Sequence, residues 1–304
     1  MTFAKSNNEP IRETVAASLE SDGPSGSFLA AVVQLNSTSD LDANWCQARD
    51  LIVEAARRGA SLVATPENTN FLGPHDRKVA LAEPLDGPTV ARFADLARSL
   101  RIHLLLGSYN ERAATPDRCH NTSVLFDPTG AIRAVYRKLH LFDVDLGARG
   151  VRFQESTTVE PGTEPIVANT ALGSLGMSIC YDLRFAEFYQ VLTERGAQIL
   201  AVPSAFTATT GQAHWEVLIR ARAIENQAYV IAPAQTGRHD DEGLRASHGE
   251  SMIVDPWGVV LARVGEGPGL ALAEIDLQRV ERIRREMPVA HHRRCRVMFG
   301  FDSR

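Results

Sequence analysis

The order of segments along the chain predicts an α/β fold with many strands. Short β-rich runs alternate with stretches of helical period, the pattern that layers helices on sheet. Residues 172–187 read as a buried strand, a tight turn and a helix start near Arg184, with Cys180 at the bend. Two further runs end on a reactive side chain. Residues 61–65 lead through Pro66 to Glu67, and 131–137 alternate through Ile132, Ala134 and Tyr136 to Lys138. All three side chains fall at the carboxyl ends of predicted strands, where open α/β sheets gather their active groups.

Residues 1–27 are polar and read as a mobile extension. Glu9, Glu13, Glu20 and Asp22 argue against a mitochondrial presequence, which should be poor in acid. The first strand is expected over 28–35. Trp45, Ala48, Ile52, Ala55 and Ala56 then recur at helical spacing over 41–58, and Gly59 stops that helix. Residues 68–76 are irregular and follow Glu67 directly. They read either as lining of a site or as plain surface loop. Thr89 is the expected N-cap of a helix through Leu100. Strands are expected at 102–107 and 122–126, with 111–118 as their hairpin connection. Asp127-Pro128-Thr129-Gly130 is a turn into the Lys138 strand. Asp255-Pro256-Trp257-Gly258 repeats its form, a hint of two related halves.

Residues 142–155 read as a polar loop. After Cys180 a helix runs to Glu194 and stops at Gly196, and a strand follows at 198–202. Residues 214–229 are helical, 229–232 a strand and 237–249 a polar loop near the mouth of a site. Strands at 251–254, 259–264 and 270–275 are expected to complete a second sheet. Asp276 caps a helix through Arg285, and 291–296 is a basic tail.

A length of 304 residues suits one large α/β domain or two small ones, and a hydrophobic content of 44% suffices for a substantial core. A formal net charge of -5 with no long basic run gives no sign of a nucleic-acid partner. No apolar stretch is long enough to span a bilayer. Cys46, Cys119, Cys180 and Cys295 lack metal-ligand spacing, so neither a metal nor another cofactor is expected. No secretory signal is read ahead of them, and a reducing, cytoplasmic setting is expected. Asn36-Ser37-Thr38 and Asn121-Thr122-Ser123 match the glycosylation sequon, a pattern common by chance.

A thiol between a strand end and a helix start is placed to ionise, because helix N–H groups and the dipole stabilise negative charge. An isolated cysteine is otherwise most often a small buried hydrophobe. There is no Gly-x-Ser-x-Gly elbow, and no glycine fingerprint follows the first strand. His214, the one interior histidine that a papain-like pair would use, reads as support for its helix.

Pro66-Glu67, Tyr136-Arg137-Lys138-Leu139-His140 and Cys180-Tyr181-Asp182-Leu183-Arg184-Phe185 together resemble, in order, the three signatures of the nitrilase, or carbon–nitrogen hydrolase, superfamily. The resemblance implies a four-layer αββα sandwich, with one hydrolase domain over 28–299 between the extension 1–27 and a tail at 300–304. It implies a Glu67-Lys138-Cys180 triad. It also implies a second glutamate beside the triad at Glu155, which on its own reads as a solvated loop carboxylate. Cys180 would attack an amide carbon and Glu67 would move the proton. Lys138 and the Tyr181 N–H would hold the oxyanion, and water would clear a thioester.

Ser204-Ala205-Phe206, Ala213-His214-Trp215-Glu216 and Met252-Ile253-Val254 resemble the Nit branch of that superfamily. The branch implies a small amide bearing an α-keto carboxylate. Deaminated glutathione is expected, with α-ketoglutaramate, a nitrile or a silent binding role as alternatives. Arg184, Thr209 and Thr210 are candidates for its carboxylate, and Phe206 for its apolar part. Arg184 reads equally as an ion pair with Glu187 one turn on. Glu250 stands where the resemblance expects histidine, and Gln212 where it expects proline, which bears on specificity and not on the triad. A homodimer or larger assembly is implied, with the elbow helix and C-terminal tail at the interface. Fast labelling of Cys180 beside slow labelling of Cys46 is expected of a live site.

Overall fold

The computed structural model describes residues 26–146, 151–240 and 246–294. Most of the expected N-terminal extension, the tail at 300–304 and Cys295 lie outside the described residues.

In chain order the first half holds β1 (Ser27–Gln34), α1 (Leu41–Arg57), β2 (Ala60–Ala64), α2 (His75–Ala80), α3 (Pro88–Leu100), β3 (His103–Arg112), β4 (Cys119–Phe126) and β5 (Ile132–Arg137). A ribbon follows, β6 (Asp143–Leu146) with β7 (Val151–Gln154), where the sequence read as loop. Next come β8 (Val167–Thr170), β9 (Gly173–Met177), α4 (Ala186–Glu194), β10 (Ile199–Ala201), α5 (Ala208–Asn226) and β11 (Tyr229–Ala232). A second ribbon pairs β12 (Thr236–Arg238) with β13 (Ala246–His248), inside the expected polar loop. The last elements are β14 (Met252–Val254), β15 (Val260–Arg263), β16 (Gly269–Asp276), α6 (Leu277–Glu286) and α7 (Val289–His292).

The strands form two six-stranded sheets, ordered β16-β1-β2-β3-β4-β5 and β8-β9-β10-β11-β14-β15. Each has an antiparallel outer pair, three parallel strands, then two antiparallel steps. The two halves therefore repeat one topology. The recurrent turns occupy matching places, between β4 and β5 and between β14 and β15. Asp127 Oδ1 accepts from the Thr129 and Ala131 N–H groups, and Asp255 Oδ1 from those of Trp257 and Val259. Gly130 and Gly258 close the turns at φ 79° and 84°, a backbone that favours glycine.

Strand alternation sorts the core into layers. Ala30 and Val32 face the second sheet in one cluster with Leu175, Met177 and Leu200. Ala31 and Val33 face outward against Ile52 and Ala55 of α1, with Phe93 of α3 in the same cluster. On the far side Leu192 of α4 and Trp215 and Ile219 of α5 cover the second sheet. The result is a four-layer αββα sandwich.

Several expectations are corrected. The strand near 270–275 does not complete the second sheet: β16 pairs with β1 from Ser27↔Asp276 to Gln34↔Gly269. Thr89 is not an N-cap. Gly87 is, with Pro88 at the first helical position, and Glu83 accepts both the N–H and the hydroxyl of Thr89. The helix expected from residue 214 starts at Ala208. Residues 289–292 form a helical turn rather than tail.

Candidate active site

Glu67 sits just beyond β2, on a turn pressed against β3. A Cβ on Gly107 would collide with the Thr65 carbonyl oxygen, so only glycine admits that crossing. The Asn68 N–H donates to Ser108 Oγ at 2.8 Å and pins the turn. Lys138 leaves the end of β5, where its own N–H donates to the Asn121 carbonyl at 2.9 Å. Both side chains are buried.

Cys180 follows β9 with φ 47°, a left-handed backbone that costs a non-glycine residue about 1–3 kcal/mol. Its own N–H and the Asp182 carboxylate hold it there. The Cys180 N–H donates to the Pro203 carbonyl. Asp182 Oδ2 accepts from the Ile179 N–H and the Tyr136 hydroxyl. Asp182 Oδ1 accepts from the His140 N–H and lies 2.7 Å from His140 Nδ1. Asp182 thus ties the elbow to the residues on both sides of Lys138. Arg222 of α5 adds two bonds to the Leu183 carbonyl.

The three groups meet at the seam between the sheets. Lys138 Nζ lies 3.0 Å from Glu67 Oε1 and 2.8 Å from Glu155 Oε2. Glu67 Oε2 accepts from the Ala205 N–H at 2.8 Å. Asn121 Nδ2 bridges Glu67 Oε1 at 2.8 Å and Glu155 Oε1 at 3.2 Å. Burial disfavours the Lys138 ammonium, but Glu155, Glu67 and Cys180 outweigh it and hold the group charged well above the ordinary lysine value. Burial likewise raises the Glu155 carboxyl, yet Lys138, Lys78 and the Phe142 N–H bring it well below the usual range.

Cys180 departs from expectation. Burial first, then the Glu67 charge and a hydrogen bond to Glu67, push its thiol well above the ordinary value, and Lys138 offsets only part. The expected helix start is a 3-10 turn, Cys180–Arg184, and α4 begins only at Ala186. No long helix dipole therefore reaches the sulfur. Cys46 is exposed and Cys180 buried, so the expected order of labelling does not follow from access.

A cavity opens onto the cluster. Tyr181, Arg184, Phe206 and Thr210 line it, but Thr209 does not and is exposed. Thr207 takes its place, its hydroxyl 2.7 Å from that of Thr210. Arg184 makes no ion pair with Glu187. Its guanidinium lies over the Phe206 ring at 5.0 Å and near His214 Nδ1 at 3.3 Å. Asn68 and Leu72 line the cavity, as the site-lining reading of 68–76 has it, and so do His239 and Ser247 of the second ribbon. Glu250 is not in the lining and pairs with Arg263 at 2.9 Å.

Sequence reasoning missed Asn121 and Lys78. Asn121 had appeared only as a sequon, yet it is buried and engaged, which leaves no room for a glycan. Its signal was its place one residue before the strand expected at 122–126, which runs antiparallel to the Lys138 strand. Lys78 lines the cavity from α2. Among the described residues no cluster of three or more His, Cys, Asp or Glu is placed to hold a metal. No described helix is long and apolar enough to cross a membrane.

A buried thiol, carboxylate and ammonium thus converge between the two sheets. The carbon–nitrogen hydrolase family model matches residues 29–285, and the chain belongs to that family. It is 44% identical over 289 residues to the deaminated glutathione amidase of Bos taurus, covering 93% of this chain and 86% of that one. The deaminated glutathione amidase of Synechocystis sp. is 45% identical, over 88% of this chain and 98% of its own. Among solved structures, the C. elegans NitFhit protein superposes with a TM-score of 0.84 at 42% identity. That match covers 90% of this chain and 66% of the longer NitFhit chain.

Proposed function

We propose that the protein is an amidase that cleaves the γ-linked amide of deaminated glutathione into an α-keto diacid and cysteinylglycine. The observation that carries the chemistry is the contact set of Glu67: the Lys138 ammonium, the Ala205 N–H and the Cys180 thiol. A thiol held protonated needs its base at the moment of attack. Glu67 takes the Cys180 proton as the sulfur adds to the amide carbon. The C–N bond then breaks, and Glu67 gives that proton to the departing amine. Water adds to the thioester, with Glu67 as base, and the acid leaves as the thiol reforms.

Lys138 has three N–H donors, and two point at Glu67 and Glu155. The third, with the Tyr181 N–H, serves the oxyanion. Glu155 and Asn121 hold Lys138 and Glu67 in register. Arg184, Thr207 and Thr210 receive a substrate carboxylate, with Phe206 beneath the chain between. The support for this substrate is the likeness to deaminated glutathione amidases at 44% and 45% identity. α-Ketoglutaramate, whose leaving group is ammonia, is the second reading, and the small hydroxyl pair Thr207–Thr210 suits its single carboxylate as well. The protein works as one hydrolase domain, as a homo-oligomer, in the cytoplasm.

Intact-mass analysis of the enzyme with substrate tests the nucleophile: an acyl adduct on Cys180 is expected, and full turnover by Cys180→Ala would sink the assignment. Side-by-side kcat/KM values for deaminated glutathione, α-ketoglutaramate, an aliphatic amide and a nitrile test the substrate. Preference for α-ketoglutaramate by more than about tenfold, about 1.4 kcal/mol, would replace the first reading by the second.

A further inference from the structure

Lys78 is buried to 9% exposure on α2, and it lines the cavity. Among the described residues its ammonium makes no hydrogen bond and no ion pair. It is carried by α2, which packs on β3 of the first sheet, and its charge is felt at Glu155 and at the buried Cys119. An ammonium that lines a cavity with no carboxylate of its own is free to receive an anion there. The Glu155 carboxylate is taken up by Lys138, the Phe142 N–H and Asn121, with Oε2 2.8 Å from Lys138 Nζ.

The other spare cation of the cavity, Arg184, approaches from the opposite sheet, on the 3-10 turn after β9. Lys138 is engaged by two carboxylates and belongs to the reacting centre. The cavity thus offers two remote cations, one from each sheet, with the thiol at the seam between them.

We propose that Lys78 is a second carboxylate-binding residue, and that the substrate class is an amide with one carboxylate on each side of the scissile bond. The inference rests on the amidase reading above and deepens it: Arg184 takes the α-keto carboxylate of the acyl half, and Lys78 the terminal carboxylate of the amine half. A primary amide such as α-ketoglutaramate lacks that second anion and leaves Lys78 idle. Lys78 therefore sets specificity between two amides that share an acyl group.

The test measures binding of deaminated glutathione, and of its C-terminal glycinamide, to Cys180→Ala enzyme with and without Lys78→Met. Removing one partner of a desolvated charge pair costs upwards of about tenfold in affinity. Lys78→Met is expected to weaken the free acid by at least that factor and the glycinamide by less than about threefold. Lys78→Arg should keep most of the affinity for the acid. The unliganded Lys78→Met protein should melt no lower than its parent, since it loses no hydrogen bond and no ion pair, which separates this role from a merely structural one. Equal losses on acid and amide, unchanged affinity, or no binding of the acid by the parent would each overturn the proposal. Binding that depends on Lys78 without turnover by wild-type enzyme would instead fault the amidase reading and leave Lys78 in place.

Discussion

The Cys180 sulfur keeps its proton at rest because of an apolar wall and the Glu67 carboxylate beside it. In the proposed reaction Glu67 is at once the charge that raises the thiol and the base that removes its proton, so one substitution separates the two roles. Glu67→Gln removes the negative charge, and the thiol's titration should move to lower pH. Turnover should nonetheless fall by at least about 10²-fold, the scale of a lost acid–base group. The measurement is the pH dependence of Cys180 alkylation by mass spectrometry, with exposed Cys46 as the internal standard. The variant should reach half-maximal alkylation at lower pH than wild type while turning over more slowly. An unchanged or higher midpoint would remove Glu67 from the thiol's environment.

At the scale of elements, the site depends on how the end of β5 is fixed to the elbow after β9. Asp182 does this with four contacts, to the Tyr136 hydroxyl, the Ile179 N–H and both nitrogens of His140 that face it. Asp182→Ala would strand these buried donors and should cost at least about 3 kcal/mol, whereas Tyr136→Phe removes one neutral donor and should cost about 1–2 kcal/mol. Urea unfolding reads both, and a loss below about 1 kcal/mol for Asp182→Ala would refute the clamp. The same elements show what sequence can and cannot convey. The ends of β2, β5 and β9 were legible because β2 and β9 are short runs of small and apolar residues, β5 alternates through Ile132, Ala134 and Tyr136, and a reactive side chain follows each. Asn121 was not, because its role comes from strand pairing that sets it beside Lys138, and pairing is not local. For the same reason β16 was assigned to the wrong sheet: chain order does not say which edge a strand will join. Thr209 failed on period, since the first turn of α5 presents Thr207 and Thr210 to the cavity and turns Thr209 outward.

At the scale of the whole molecule, the repeated topology leaves one outer corner apolar. Val217 and Ile224 on α5 are 66% and 46% exposed, and Trp257 in the turn between β14 and β15 is 56% exposed. Leu261 adds to them from β15, an edge strand of its sheet. The corner is one surface, because Ile224 packs beneath Gly258 and Arg220 donates to the Gly258 carbonyl at 2.8 Å. A large indole and branched side chains together on an unpaired edge are costly to leave in water and invite a partner. A second copy of this chain is the partner that the expected homo-oligomer supplies, and α5 then joins α4 at that contact. The same helix carries Arg222, whose guanidinium holds the Leu183 carbonyl of the elbow. Such an assembly would therefore be linked to the position of Cys180 through one rigid element. Trp257→Glu combined with Leu261→Lys should return the protein to a single chain of 33.2 kDa by light scattering, while wild type scatters as a multiple of that mass. The dissociated form should also lose kcat, because α5 would no longer be braced where it supports the turn after Cys180. A wild type that scatters as one chain would remove the assembly, and a doubly substituted protein that still assembles would move the contact to another face.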